Sequence, residues 1–150
     1  MDLPTEAQWE YAARARGKFL IFATDNGLFE DGRNVPTTEE VEKLSGHWTS
    51  PISVGLYPPN PLGLYDMGKN GYEWVKDWYA DDYYSHSPGQ DPQGPEHGAK
   101  KVVRSHGNGT DYPAMTMARN ARSPKLGEDD KEVTMIAEGF RCAALATSSK

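Results

Sequence analysis

Hydrophobic and polar positions along the chain come in short bursts, and no single period runs far. Residues 4–14, Pro-Thr-Glu-Ala-Gln-Trp-Glu-Tyr-Ala-Ala-Arg, predict a helix. Thr5 stands at or beside the N-cap, Glu6 is acidic in the first turn, Arg14 and Arg16 lie towards the C-terminal end, and Gly17 stops it. Trp9, Ala12 and Ala13 form its buried face. Residues 37–44 predict a second short helix. Strands are predicted at residues 18–23, 52–56 and 101–104, and a last buried strand at residues 138–145. Residues 115–122 suit a strand or a short helix. So do residues 73–79, because the spacing of four between Trp74 and Trp78 fits both periods. A long polar connection, residues 85–98, carries Pro88, Pro92 and Pro95 and is ordered only if something clamps it. Few helices, short strands and abundant loop predict an α+β domain in which irregular structure exceeds regular structure.

Composition narrows the picture. A chain of 150 residues is one domain of common size. Hydrophobic residues make up 37% and mean hydropathy is -0.76, so the core is small relative to the loops. A net charge of -6 argues against nucleic acid or an anionic membrane surface, which need a basic face. It suits a basic partner or a cation, or serves solubility alone. Cys142 is the one cysteine, so neither an intrachain disulfide nor a thiolate zinc cluster can form. The longest apolar run, residues 19–23, is far short of a membrane span. No signal peptide is visible at Met1. The chain as written is therefore expected in the cytoplasm, or in the periplasm if an export signal precedes it.

The densest chemistry lies in residues 64–79. Two carboxylates, Asp66 and Glu73, bracket Gly68, Lys69, Asn70 and Gly71 in a run with five aromatics and no regular period. Carboxylates are hard oxygen ligands, and glycine-loosened backbone can turn carbonyls towards the same point, as a calcium site requires. The same residues also suit a tight turn whose carboxylates cap backbone N–H groups. His47, His86, His97 and His106 form no local metal-binding pair. No P-loop, dinucleotide fingerprint or Gly-x-Ser-x-Gly occurs.

In four co-linear segments, at residues 3–14, 57–67, 73–79 and 139–144, the chain resembles the formylglycine-generating-enzyme (sulfatase-modifying factor) family. They read Leu-Pro-Thr-Glu-Ala-Gln-Trp-Glu-Tyr-Ala-Ala-Arg, Tyr-Pro-Pro-Asn-Pro-Leu-Gly-Leu-Tyr-Asp-Met, Glu-Trp-Val-Lys-Asp-Trp-Tyr and Gly-Phe-Arg-Cys-Ala-Ala. The resemblance implies that family's C-type-lectin-like fold, loop-rich, with small twisted antiparallel sheets and few helices. It also implies that residues 1–150 are a single domain lacking the family's N-terminal portion, as a fragment or a reduced form. It implies calcium held by the Asp66 and Glu73 side chains and the Lys69 and Gly71 carbonyls. A second site would use Asn34 and the Val35 carbonyl, but its expected aspartate aligns near Gly46.

The family's oxidase holds copper with two cysteines, which align near Ala114 and Arg119; neither is a thiol. The departure makes formylglycine generation and copper unexpected, while iron chemistry of another type stays open. Cys142, within Gly-Phe-Arg-Cys, is expected to be a buried structural residue. The preferred expectation is a non-catalytic, calcium-stabilised module binding another protein, as accessory, regulatory or immunity-type relatives of bacterial secretion systems do. The alternatives are a metal-dependent oxidase and a fragment inactive without its N-terminal part. Tyr83, Tyr84, Asn108, Asp111 and Tyr112, in the Tyr83-Tyr84 loop and the segment 108–117, are the expected partner-facing residues.

Overall fold

The computed structural model describes residues 1–108, 113–125 and 137–144. Helix α1, Glu6–Ala13, begins with reciprocal hydrogen bonds. The Gln8 N–H donates to Thr5 Oγ1 at 3.2 Å, and the Thr5 N–H donates to Gln8 Oε1 at 3.0 Å. Two amide donors that a helix start would otherwise leave unpaired are thereby satisfied. Helix α2, Thr38–Ser45, repeats the device with Thr37 and Glu40, and ends where Gly46 turns left-handed at φ 80.

Strands β1 (Tyr72–Trp78), β2 (Lys101–Arg104), β3 (Asn120–Arg122) and β4 (Glu138–Phe140) form one sheet in the order β3-β2-β1-β4. β2 is antiparallel to β1 and to β3, but β4 runs parallel to β1. The sheet is therefore mixed, where antiparallel sheets were expected. The reason is topological: β3 ends on one edge, and the chain crosses back to the other edge running in the same direction as β1.

Three strand expectations need correction. Residues 18–23 contribute a single bridge, Phe22 to Met115. Residues 52–56 form no strand, because side-chain amide groups take the place of a neighbouring chain. The Ile52 N–H donates to Asn70 Oδ1 at 2.8 Å, and Asn70 Nδ2 donates to the Ile52 carbonyl at 3.0 Å. The last strand is short and lies at a sheet edge, with Phe140 69% exposed rather than buried. Cys142, just beyond it, is exposed as well.

Trp9, Ala13, Ala23, Met67, Val75 and Val102 form the core, with Ala12, Leu64 and Tyr79 packed at its margin. It lies between α1 and the β1–β2 face of the sheet. Trp74 and Trp78 are only half-buried; Trp9 supplies the buried indole. The long connection after β1 is clamped against that strand. The Gly94 N–H donates to Tyr83 Oη at 3.1 Å. A Cβ at Gly94 would lie 2.7 Å from Asp77 Cβ, and one at Gly98 2.9 Å from Trp78 Cβ, so glycine permits the close approach.

Candidate functional site

One carboxylate organises the surface beside α1. Glu6, in the first turn of α1, is 1% exposed. Its Oε1 accepts from Arg104 Nη1 and Arg119 Nε, both at 2.7 Å, and its Oε2 accepts from Arg119 Nη2 at 2.9 Å and Tyr84 Oη at 3.3 Å. Arg104, on β2 and fully buried, also donates to Glu10 Oε2 at 3.0 Å and to the Thr116 carbonyl. Glu6 and Arg104 thus neutralise one another out of water, with part-exposed Glu10 and Arg119 completing the cluster, and pairing is the condition under which buried charge is tolerated. The Glu6 N–H is itself capped by Asp77 Oδ2 of β1 at 2.7 Å. Burial pushes the Asp77 carboxyl above its usual range, and the nearby Glu6 charge adds to that against the hydrogen bond.

Arg119 lies between two rings, its guanidinium carbon 5.0 Å from the Tyr79 centroid and 4.8 Å from that of Tyr84. Burial, and then the Glu6 charge, push the Tyr84 phenol upward, so it stays protonated. Tyr84 and Arg119, with Ala7, Glu10, Tyr11, Arg14 and Met117, line a groove of about 420 Å³. Its rim is amphipathic: Tyr11, Tyr84 and Met117 are 57%, 44% and 43% exposed. Both arginines have carboxylate partners, Glu10 for Arg14 and Glu6 for Arg119. The groove offers aromatic and thioether surface with a fixed polar floor, a chemistry for gripping a ligand.

Of the expected partner-facing residues, Tyr84 lies in this groove. Tyr83 is 8% exposed, with its hydroxyl turned inward to accept the Gly94 N–H, and Asn108 is 1% exposed. Asn108 Oδ1 accepts the Asn70 N–H at 3.2 Å and its Nδ2 donates to the Ser50 carbonyl at 2.9 Å, so this amide ties loops together. Both side chains are thus buried rather than presented at the surface. Asp111 and Tyr112 lie outside the described residues. Met117 belongs to the segment expected to face a ligand; Tyr11 and Arg14 were missed. Their signal was present, since Ala7, Glu10, Tyr11 and Arg14 follow the i, i+3, i+4, i+7 spacing of one helix face.

Asp66, Lys69, Gly71 and Glu73 all line a second cleft, of about 550 Å³. Asp66 sits at φ 59 and its Oδ2 accepts the Gly55 N–H at 2.9 Å. Burial raises the Asp66 carboxyl above its usual range. Glu73 Oε2 accepts from Trp9 Nε1 and Arg141 Nε, each at 2.6 Å, and Arg141 Nη2 pairs with Glu73 Oε1. The Lys69 ammonium is buried and donates to the Pro36 carbonyl at 3.1 Å. Asn34 and Val35 are buried. Gly46 is the left-handed cap of α2, and supplies no carboxylate there.

Ala114 is 2% exposed, and neither it nor Arg119 is a thiol. Cys142 alone cannot provide two thiolates, so the donor set does not fit copper. Among the described residues no group of three or more His, Cys, Asp and Glu side chains is placed to hold a metal ion.

Comparison with known proteins places these features in context. The family model for the sulfatase-modifying factor enzyme 1-like domain matches residues 1–146. The chain is 41% identical over 106 residues to serine/threonine-protein kinase pkn1 of Chlamydia pneumoniae, covering 68% of this chain and 15% of that protein. It is 39% identical over 113 residues to the formylglycine-generating enzyme of Streptomyces coelicolor, covering 68% of this chain and 34% of the enzyme. It is 29% identical over 154 residues to inactive C-alpha-formylglycine-generating enzyme 2 of Mus musculus, covering 99% and 44%. The matches thus take up 15% and 34% of the first two of these relatives and under half of the third. Among solved structures, Treponema denticola variable protein 1 aligns with a TM-score of 0.59 at 30% identity, covering 81% of this chain and 42% of that one.

Proposed function

Since the chain belongs to the formylglycine-generating-enzyme (sulfatase-modifying factor) family, we propose that it is a non-catalytic member whose groove beside α1 binds another protein. Arg119 carries this reading. The resemblance puts a copper-binding cysteine at or near this position, and here a guanidinium is locked to buried Glu6 and stacked between Tyr79 and Tyr84. A permanently charged, fully engaged arginine neither binds copper nor carries electrons. The same contacts hold Tyr84 at the mouth of a groove rimmed by Tyr11 and Met117. Rigid aromatics and adaptable methionine are what protein-recognition surfaces use. A relative described as inactive shows that loss of the reaction has precedent in the family.

The test has two arms on the whole chain. With copper and a cysteine-containing substrate peptide, mass spectrometry is expected to find no formylglycine; its formation overturns the proposal. A partner captured by cross-linking is expected to be lost from Tyr84→Ser and Met117→Ser variants whose circular dichroism is unchanged. Undiminished capture by both variants removes the groove from the proposal.

A further inference from the structure

The cleft around Glu73 and the loop at Asn34 share an arrangement: each holds a cation that belongs to the chain. In the cleft, Arg141 presents its guanidinium edge to Glu73 through Nε and Nη2 and extends Nη2 to the Tyr65 carbonyl at 3.1 Å. Together with Trp9 Nε1, it occupies both carboxylate oxygens of Glu73. Its charge also acts on Asp66, which lines the same cleft. At the loop, Lys69 is 4% exposed and its ammonium lies against the Pro36 carbonyl, immediately after Asn34 and Val35. Asn34 Oδ1 accepts the Glu30 N–H at 2.9 Å, so its carbonyl oxygen is also committed.

A divalent ion needs six to eight oxygens turned towards one point, with carboxylates supplying the charge. Here the Glu73 oxygens already face a guanidinium, and an ammonium lies behind the Asn34 loop. Bringing a dication beside the buried Lys69 ammonium or the part-buried Arg141 guanidinium costs Coulomb energy that the same carboxylates cannot offset twice. The donor set is that of an internally neutralised site. We propose that Arg141 at the Glu73 cleft and Lys69 behind the Asn34–Pro36 loop brace these loops in place of calcium, so that the folded protein is calcium-independent.

The experiment compares the full chain with an Arg141→Gln variant, using calcium and, as a luminescent calcium mimic, terbium excited through tryptophan. For the unaltered chain, chelator and excess calcium are expected to leave the melting temperature unchanged, and terbium emission is expected to stay at the level of free terbium. A bound ion at a hundredfold excess over its Kd would instead raise the melting temperature by roughly 5 °C or more. In Arg141→Gln, Asp66 and Glu73 lose their shared cation, so calcium is expected to stabilise the variant and calcium-reversible terbium emission to appear. Arg141→Lys, which keeps the charge, is expected to stay calcium-insensitive and guards against a variant too unstable to assay. Chelator-induced loss of stability in the unaltered chain, or calcium-reversible terbium emission from it, overturns the proposal. Calcium-insensitivity of a folded Arg141→Gln variant overturns the role given to Arg141.

Discussion

Arg119 donates to both carboxylate oxygens of Glu6, at 2.7 and 2.9 Å, across 113 residues of sequence. The pairing fastens the segment after Ala114 to the first turn of α1, and through Tyr84 it fastens the loop after β1 to the same point. Three parts of the chain remote in sequence thereby share one buried anion.

Removing that anion is the most damaging single change expected. Glu6→Ala leaves Arg104 fully buried with only Glu10 and a carbonyl as hydrogen-bond partners among the described residues. Breaking a buried pair from one side costs roughly 3–5 kcal/mol. Urea denaturation is expected to show a loss of that size for Glu6→Ala, and a smaller one for Arg119→Ala, whose side chain is 20% exposed. Equal stability of Glu6→Ala and the unaltered chain would refute the hub.

Gly94 and Gly46 form a contrasting pair. Both have positive φ, 76 and 80, but a Cβ at Gly94 would press against Asp77, whereas at Gly46 nothing lies within 4 Å. Gly46→Ala is expected to cost about 1 kcal/mol from backbone conformation alone. Gly94→Ala adds a steric clash and is expected to cost roughly 2–4 kcal/mol in the same denaturation series.

His106 sets a pH response. Its Nδ1 is buried with no hydrogen-bond partner among the described residues, its ring meets Tyr72 edge-on at 5.5 Å, and burial holds its pKa below the usual 6.5. The unfolded chain therefore binds a proton more readily than the folded one. This contribution to stability is complete above pH 6.5 and is lost as pH falls from there through the lower folded value. His106→Phe keeps the ring contact and removes the proton site. Its stability, measured by denaturation between pH 7 and 5, is expected to fall less steeply; an identical slope would assign the loss to other groups.

Cys142 is exposed at the sheet edge. A thiol-specific colorimetric reagent is expected to modify it in the native protein as readily as in denaturant, whereas protection in the native state would restore it to the core.

Much of the local structure was legible because it depends on neighbours in sequence. Thr5 with Gln8 and Thr37 with Glu40 close their capping boxes within one turn, so both helices lie where expected. Residues 101–104 read as a strand because their apolar side chains suit a sheet face, whereas residues 73–79 suited a strand and a short helix equally, and pairing with β2 and β4 decided it. Residues 18–23 and 52–56 carry a similar pattern, but a strand also needs a neighbouring backbone. No local pattern could have announced that Asn70 takes that role for Ile52.

The site divides in the same way. The sequence by itself determined the family, the absence of a thiol pair, the helical face that carries Glu10, Tyr11 and Arg14, and the carboxylates at Asp66 and Glu73. Only the tertiary structure decided which of two adjacent tyrosines turns outward. Tyr83 is held inward by the Gly94 N–H, while Tyr84 is held at the groove by Glu6 and Arg119. It alone also decided which cation each carboxylate meets, since Arg141 and Glu73 lie 68 residues apart. Charge type is written in the side chain, but the partner that neutralises a buried charge is chosen by the packing that excludes water around both.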